Sequence, residues 1–139
     1  MDDPIEFLTA RYDEDEAGAR AAHGRWSPTW SVDPEEWATG VGVQDGDGRS
    51  VAAVHGTYHA DHIARHDPAR VLADLAAKRK LLQLWRTIDV GVYSPDANQL
   101  ADAMMQQLLA PYGKRAIWRQ ETGWQVDDLP AEDAGRADA

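Results

Sequence analysis

Apolar positions along this chain recur first at helical spacing, then in alternation, then at helical spacing again. Ile5, Leu8, Tyr12, Ala19 and Ala22 form the first stripe, and their spacing predicts an amphipathic helix. Asp3 supplies a cap, Pro4 tolerates the missing N–H of a first helical residue, and Glu6 completes an Asp-x-x-Glu capping box. The helix should end near Ala22 or His23, with Gly24 as its stop. The run Asp13-Glu14-Asp15-Glu16 interrupts the stripe and reads as a solvated face, because adjacent carboxylates point in different directions around a helix.

Residues 25–57 lose the helical period. Trp26, Trp30, Val32 and Trp37 lie among Ser, Pro, Thr and Asp, which predicts a short extended segment and a turn at Asp33-Pro34-Glu35-Glu36. Two β-prone runs follow, Thr39 to Gln44 and Ser50 to His55, around Asp45-Gly46-Asp47-Gly48; this pattern predicts a hairpin. Val41 and Val43 alternate with Gly40, Gly42 and Gln44, and Val51 and Val54 continue the return strand. A sheet this small must bury one face on helices.

A short helix is expected over Tyr58 to Arg65. Asp67-Pro68 then repeats the cap-and-proline device and opens a long helix to about Trp85 or Arg86. Val71, Leu75, Leu82 and Trp85 mark its stripe, widened by Leu72, Leu81 and Leu84. Ser94-Pro95-Asp96 opens a third such helix, to about Ala110, where Pro111 stops it; Leu100, Ala101, Met104, Met105, Leu108 and Leu109 recur along it. Methionines in such a stripe fill a core or make an adaptable surface, and the Met104/Leu108 side allows self-association. From Tyr112 to Val126, around a turn at Thr122-Gly123, an edge strand and a short helix both fit. Residues 127–139 have almost nothing to bury and read as a disordered acidic tail. The expected architecture is α+β in one domain over 1–126: an N-terminal helix, a small antiparallel sheet built on a hairpin, and two further long helices packed on one face.

The run Ala60-Asp61-His62-Ile63-Ala64-Arg65-His66-Asp67-Pro68-Ala69-Arg70-Val71-Leu72, with Ala77-Lys78-Arg79-Lys80-Leu81-Leu82 after it, resembles a known signature. It is that of a family of small uncharacterised proteins from actinobacteria and their phages, classed as a domain of unknown function. Ile5-Glu6-Phe7-Leu8-Thr9-Ala10-Arg11 and Leu108-Leu109-Ala110-Pro111-Tyr112 resemble the family as well. The resemblance implies no reaction. Many relatives carry cysteines suggestive of a zinc knuckle between the long helix and the last one; this chain has Asp89 to Ser94 there and no cysteine at all.

Composition narrows the chemistry. The 139 residues carry a net charge of −10, which argues against general nucleic-acid binding and towards a basic protein partner. The acids concentrate at the ends, seven against two bases in residues 1–24 and five against one in residues 127–139. Over residues 64–86 the sign reverses, with Arg65, Arg70, Lys78, Arg79, Lys80 and Arg86 against Asp67 and Asp74, either to pair with the acids at the ends or to dock an anionic partner. Zero cysteines exclude disulfides and thiol catalysis. No run is long and apolar enough for a membrane, and Met-Asp-Asp-Pro is the wrong start for a signal peptide, so a cytoplasmic protein is expected, in the host cytoplasm if a phage encodes it.

Four histidines, His55, His59, His62 and His66, fall at spacings of four, three and four, which aligns them on one side of a helix. His59, His62 and His66 are the candidate ligands for a divalent metal such as zinc, with Asp61 or Asp67 as alternative third donors. The residue after His62 is Ile63, so the zinc-protease pattern is not met. The competing reading is structural: Asp67 caps the next helix, and His66 offers a proton to a terminal carbonyl. Ser27, Ser31, Ser50 and Ser94 sit in no nucleophile elbow, and no glycine-rich phosphate loop occurs. Six tryptophans against one phenylalanine are more than a small core absorbs, so some are expected half-exposed as interface anchors. The expected function is a non-catalytic protein-interaction or regulatory module of phage or mobile-element type, using Asp13, Glu14, Asp15, Glu16, Trp30 and Trp37. The alternative is a metal-binding protein or metal-dependent enzyme built on the histidines. Asp3, Asp67 and Ser94 are expected to act as helix caps only.

Overall fold

A computed structural model describes residues 3–37, 40–88 and 94–130. The element order is α1 (Pro4–His23), β1 (Trp30–Trp37), β2 (Gly40–Asp45), β3 (Ser50–Val54), α2 (Thr57–Arg65), α3 (Pro68–Ile88), α4 (Pro95–Leu109), a 3-10 turn (Ala110–Tyr112), β4 (Lys114–Arg119) and β5 (Gly123–Asp128). The fold is α+β: an N-terminal helix, a three-stranded antiparallel sheet, further helices and a C-terminal hairpin. The chain forms two compact units, one of Asp13–Ala76 and one of Met1–Tyr12 with Ala77–Ala139. Helices α1 and α3 each contribute to both.

The three cap-and-proline devices work as the sequence predicts. The Asp3 carboxylate accepts the Ile5 and Glu6 N–H groups at 2.7 and 3.3 Å, and the Ser94 hydroxyl accepts the Ala97 N–H at 3.3 Å. Gly24 ends α1 in the left-handed region, φ 53°, and donates its N–H to the Arg20 carbonyl at 2.8 Å. Asp67 caps α3 through the Arg70 N–H, 2.8 Å, and also accepts the Trp30 N–H at 3.1 Å. That second bond ties the first residue of β1 to a position 37 residues later, and no local pattern announces it.

In the unit of residues 13–76 the sheet runs in the order β1-β2-β3, all antiparallel. Val41 and Val43 face inward on β2 and pack with Ala60 of α2, surrounded by Trp30, Val32, Ala52, Val54, Ile63 and Ala64. The expected turn at Asp33–Glu36 is absorbed into β1 as a bulge: Val32 pairs with Val43, and the next pair is Glu36 with Val41. Pro34 has no N–H to offer the ladder, and the Asp33 carboxylate takes the Glu35 N–H at 3.0 Å instead. Gly42 opposes the bulge, where a Cβ would press on the Asp33 side chain at 3.3 Å. Two stripe positions differ from expectation: Ala22 and Val51 are exposed.

In the other unit the buried residues are Pro4, Ile5, Leu8, Tyr12, Leu82, Trp85, Ala101, Met105, Leu109 and Ala116. Leu84 and Leu100, which the periodicity assigns to stripes, are exposed. The choice between strand and helix for the last segment resolves as a hairpin, Trp118 pairing with Trp124 across the Gly123 turn. Asp127 and Asp128, read as the start of a tail, close β5; residues 131–139 lie outside the described residues. Gln106 of α4 holds the free edge of β4 with a side-chain amide that imitates a peptide. Its Nε2 donates to the Ala116 carbonyl at 2.8 Å, and its Oε1 accepts the Ala116 N–H at 3.0 Å. Pro111 sits inside the 3-10 turn, and Gly113, φ 68°, releases the chain into β4.

Candidate functional site

The histidine cluster does not converge. His55 follows β3, His59 and His62 lie on α2, and His66 caps its end; all four are exposed. His66 leaves helical geometry, φ −103° and ψ 38°, and its Nδ1 lies 2.8 Å from the His62 carbonyl oxygen. The two rings stack at 4.4 Å between centroids. The His59 ring lies back over the start of α2, its Nδ1 3.4 Å from where a Cβ on Gly56 would stand, as helical side chains tilt towards the N-terminus. Asp67 spends both carboxylate oxygens on backbone N–H groups. Among the described residues no three His, Asp or Glu side chains could hold a metal ion together, so His59, His62 and His66 do not form the expected three-ligand set.

The acidic run lies in the middle of α1, with Asp13, Glu14 and Asp15 exposed. Glu16 is partly buried and accepts two hydrogen bonds from Arg20 one turn on, at 2.8 and 2.9 Å. Trp30 packs against the Val41, Val43 and Ala60 cluster rather than projecting from it. The Trp37 side chain lies outside the described residues.

A cleft of about 430 Å³ opens between the loop that leaves α1 and the β2–β3 turn. Ala22, His23, Trp26, Trp30, Arg49 and Val51 line it, with Ser27, Ser50 and Asp45. Gly46 explains the close approach of its two banks, because a Cβ there would overlap the Ser27 Oγ at 2.5 Å and the Thr29 Oγ1 at 3.0 Å. Asp45, 5% exposed, folds the turn: one carboxylate oxygen accepts the Asp47 and Arg49 N–H groups, each at 2.9 Å. The Arg49 guanidinium lies over the Trp26 ring, 3.0 Å from its centroid, and Arg25 stands against the same ring at 4.5 Å.

A second, apolar groove of about 340 Å³ runs between α3 and α4, lined by Leu81, Leu100, Ala103, Met104, Gln107 and Leu108. The model of a family of unknown function, DUF6221, matches residues 1–126. The chain belongs to the DUF6221 family. No curated protein and no solved structure matches it.

In this DUF6221 protein the sequence reading missed both hollows, for different reasons. Met104 and Leu108 were visible as a stripe, but their half-exposure depends on what α3 leaves uncovered. Trp26 was visible as one of six tryptophans, yet Arg49 lies 23 residues away and reaches it only through the hairpin. At the C-terminal hairpin of the DUF6221 chain Arg119 and Asp127 form an ion pair. Hydrogen bonding to Arg119, which lies 2.7 Å from the carboxylate, lowers the Asp127 pKa, and Asp127 in turn raises that of Arg119. Gln125 shares the same guanidinium. No helix among the described residues is long and apolar enough to cross a membrane.

Proposed function

We propose that this DUF6221 protein is a non-catalytic interaction module that docks a second copy of itself through the apolar side of α3 and α4. One observation carries the reading: Leu100, 65% exposed, lines an apolar groove with Leu81, Met104 and Leu108, and Leu84 of α3 is 57% exposed as well. Leucines projecting next to a hollow make a self-complementary face, since in a two-fold pair the knobs of each copy enter the groove of the other. The chain's charge of −10 opposes that pairing, so association strengthens as salt screens the repulsion. Sedimentation velocity over a range of concentration and salt is the test. The expected result is a dimer that grows with salt and is lost in Leu100→Asp. A monomer at every concentration and salt sinks the reading.

The exposed Asp13, Glu14 and Asp15 favour a second reading, a basic protein partner met by charge complementarity, in the manner of a nucleic-acid mimic. Its salt dependence has the opposite sign. Binding of a lysine-rich model peptide should weaken with salt and fall further when all three acids are changed to lysine; unchanged binding ends this version. The resemblance of residues 60–82 supports placing either activity in actinobacteria or their phages, as a regulatory, host-modulating role in the cytoplasm.

A further inference from the structure

The Trp26 cleft is unlike the apolar groove in that it holds a fixed cation. Arg49 is restrained at both ends: its backbone N–H is taken by Asp45, its carbonyl accepts the Asp45 N–H at 2.9 Å, and its guanidinium rests on Trp26. Among the described residues it forms no ion pair, and neither does Arg25. Asp45, the carboxylate that lines the cleft, directs one oxygen to backbone N–H groups of its own turn. Arg49 therefore lines the cleft with the entropy of ordering a long side chain already spent by the fold.

From this geometry we infer that the cleft is a receptor for a small aromatic carboxylate. A planar fork matches the two oxygens of a planar carboxylate, each taking one N–H. Ser27 and Ser50 add hydroxyls at the rim, and His23 lies beside them, its Nδ1 3.2 Å from the Trp26 carbonyl oxygen. Trp30, Ala22 and Val51 add apolar surface to a lining that is otherwise polar, which suits a ring attached to the carboxylate. The volume of about 430 Å³ lies within the range of small-molecule sites. A single negative charge is preferred over a phosphate dianion because one fork faces the ligand in a protein of net charge −10. The inference is independent of the self-docking face, which is built from other residues.

The test uses the full chain labelled with ¹⁵N, with the six indole N–H resonances followed while benzoate, benzamide or inorganic phosphate is added. Trp26→Phe and Trp30→Phe assign the two cleft signals. Benzoate is expected to shift both saturably at millimolar concentration, with benzamide, the same shape without the charge, at least about 10-fold weaker. Arg49→Gln should reduce benzoate affinity by at least about 10-fold, and Arg49→Lys should not restore it, because the ammonium keeps the charge but loses the fork. Equal binding of benzamide, full binding by Arg49→Gln, or an absence of any shift would overturn the site. Phosphate shifting the two signals as strongly as benzoate would overturn the carboxylate assignment. The benzoate and benzamide comparison needs no variant, so it decides the matter even if Arg49→Gln fails to fold.

Discussion

Asp67 shows how one side chain can serve a local and a distant purpose at once. Its Oδ1 caps α3 and its Oδ2 accepts the Trp30 N–H. Asp67→Ala removes both bonds and should cost about 1–3 kcal/mol in a urea denaturation. Asp67→Asn separates the two roles. Asparagine caps helices as well as aspartate does, but its amide turned towards Trp30 offers an N–H where an acceptor is needed. The asparagine variant should therefore be clearly less stable than wild type; full stability would show that the bond to β1 contributes nothing. The capping half of this residue was readable from Asp-Pro at a helix start. Its tie to β1 was not, because a single backbone N–H 37 residues away leaves no mark on composition or period.

Among the elements, the C-terminal hairpin is tied to a neighbouring helix by a side chain. Among the described residues only β5 pairs with β4, and the amide of Gln106 holds the other edge at Ala116. Gln106→Ala leaves a buried N–H and carbonyl without that partner and should cost about 1–3 kcal/mol, read as lowered hydrogen-exchange protection at Ala116 and an earlier denaturation midpoint. Unchanged protection would mean that the strand stands without the clamp. The same hairpin carries the acid-sensitive pair. Asp127 titrates below the ordinary aspartate value of about 3.9 because Arg119 bonds its charged form, with Arg115 adding a weaker attraction. A lowered native pKa means that the pair's contribution is complete above the unfolded value and is lost as pH falls through the native one. A carboxylate NMR titration should place the Asp127 midpoint below the ordinary aspartate value, and Asp127→Asn should flatten the acid limb of hairpin stability. A midpoint at or above the ordinary value contradicts the pairing. From sequence this segment balanced between strand and helix, since Ile117, Trp118, Trp124 and Val126 satisfy both periods over so short a stretch; contact with α4 settled it.

For the whole molecule, charge is the dominant unbalanced quantity. With −10 on 139 residues, self-repulsion lowers the stability of the compact state, and screening should raise the melting temperature by about 2–6 °C between ~10 and ~150 mM salt. A melting temperature that falls with salt would show that attractive pairs such as Glu16–Arg20 and Arg119–Asp127 outweigh the repulsion. The sequence by itself determined the α+β class, the starts of α1, α3 and α4, the end of α1 and the β2–β3 hairpin. These rest on local physics, on caps, prolines, glycines and hydrophobic period, each acting within a few residues. Only the tertiary structure decided that β1 bulges through its expected turn, that three histidines at helical spacing fail to meet, and that Leu84 and Leu100 face outward. It alone brought Arg49 onto Trp26 across 23 residues. Periodicity states which side of an element is apolar, but what covers that side, and which donor reaches which ring, is set by contacts between segments that no local pattern encodes.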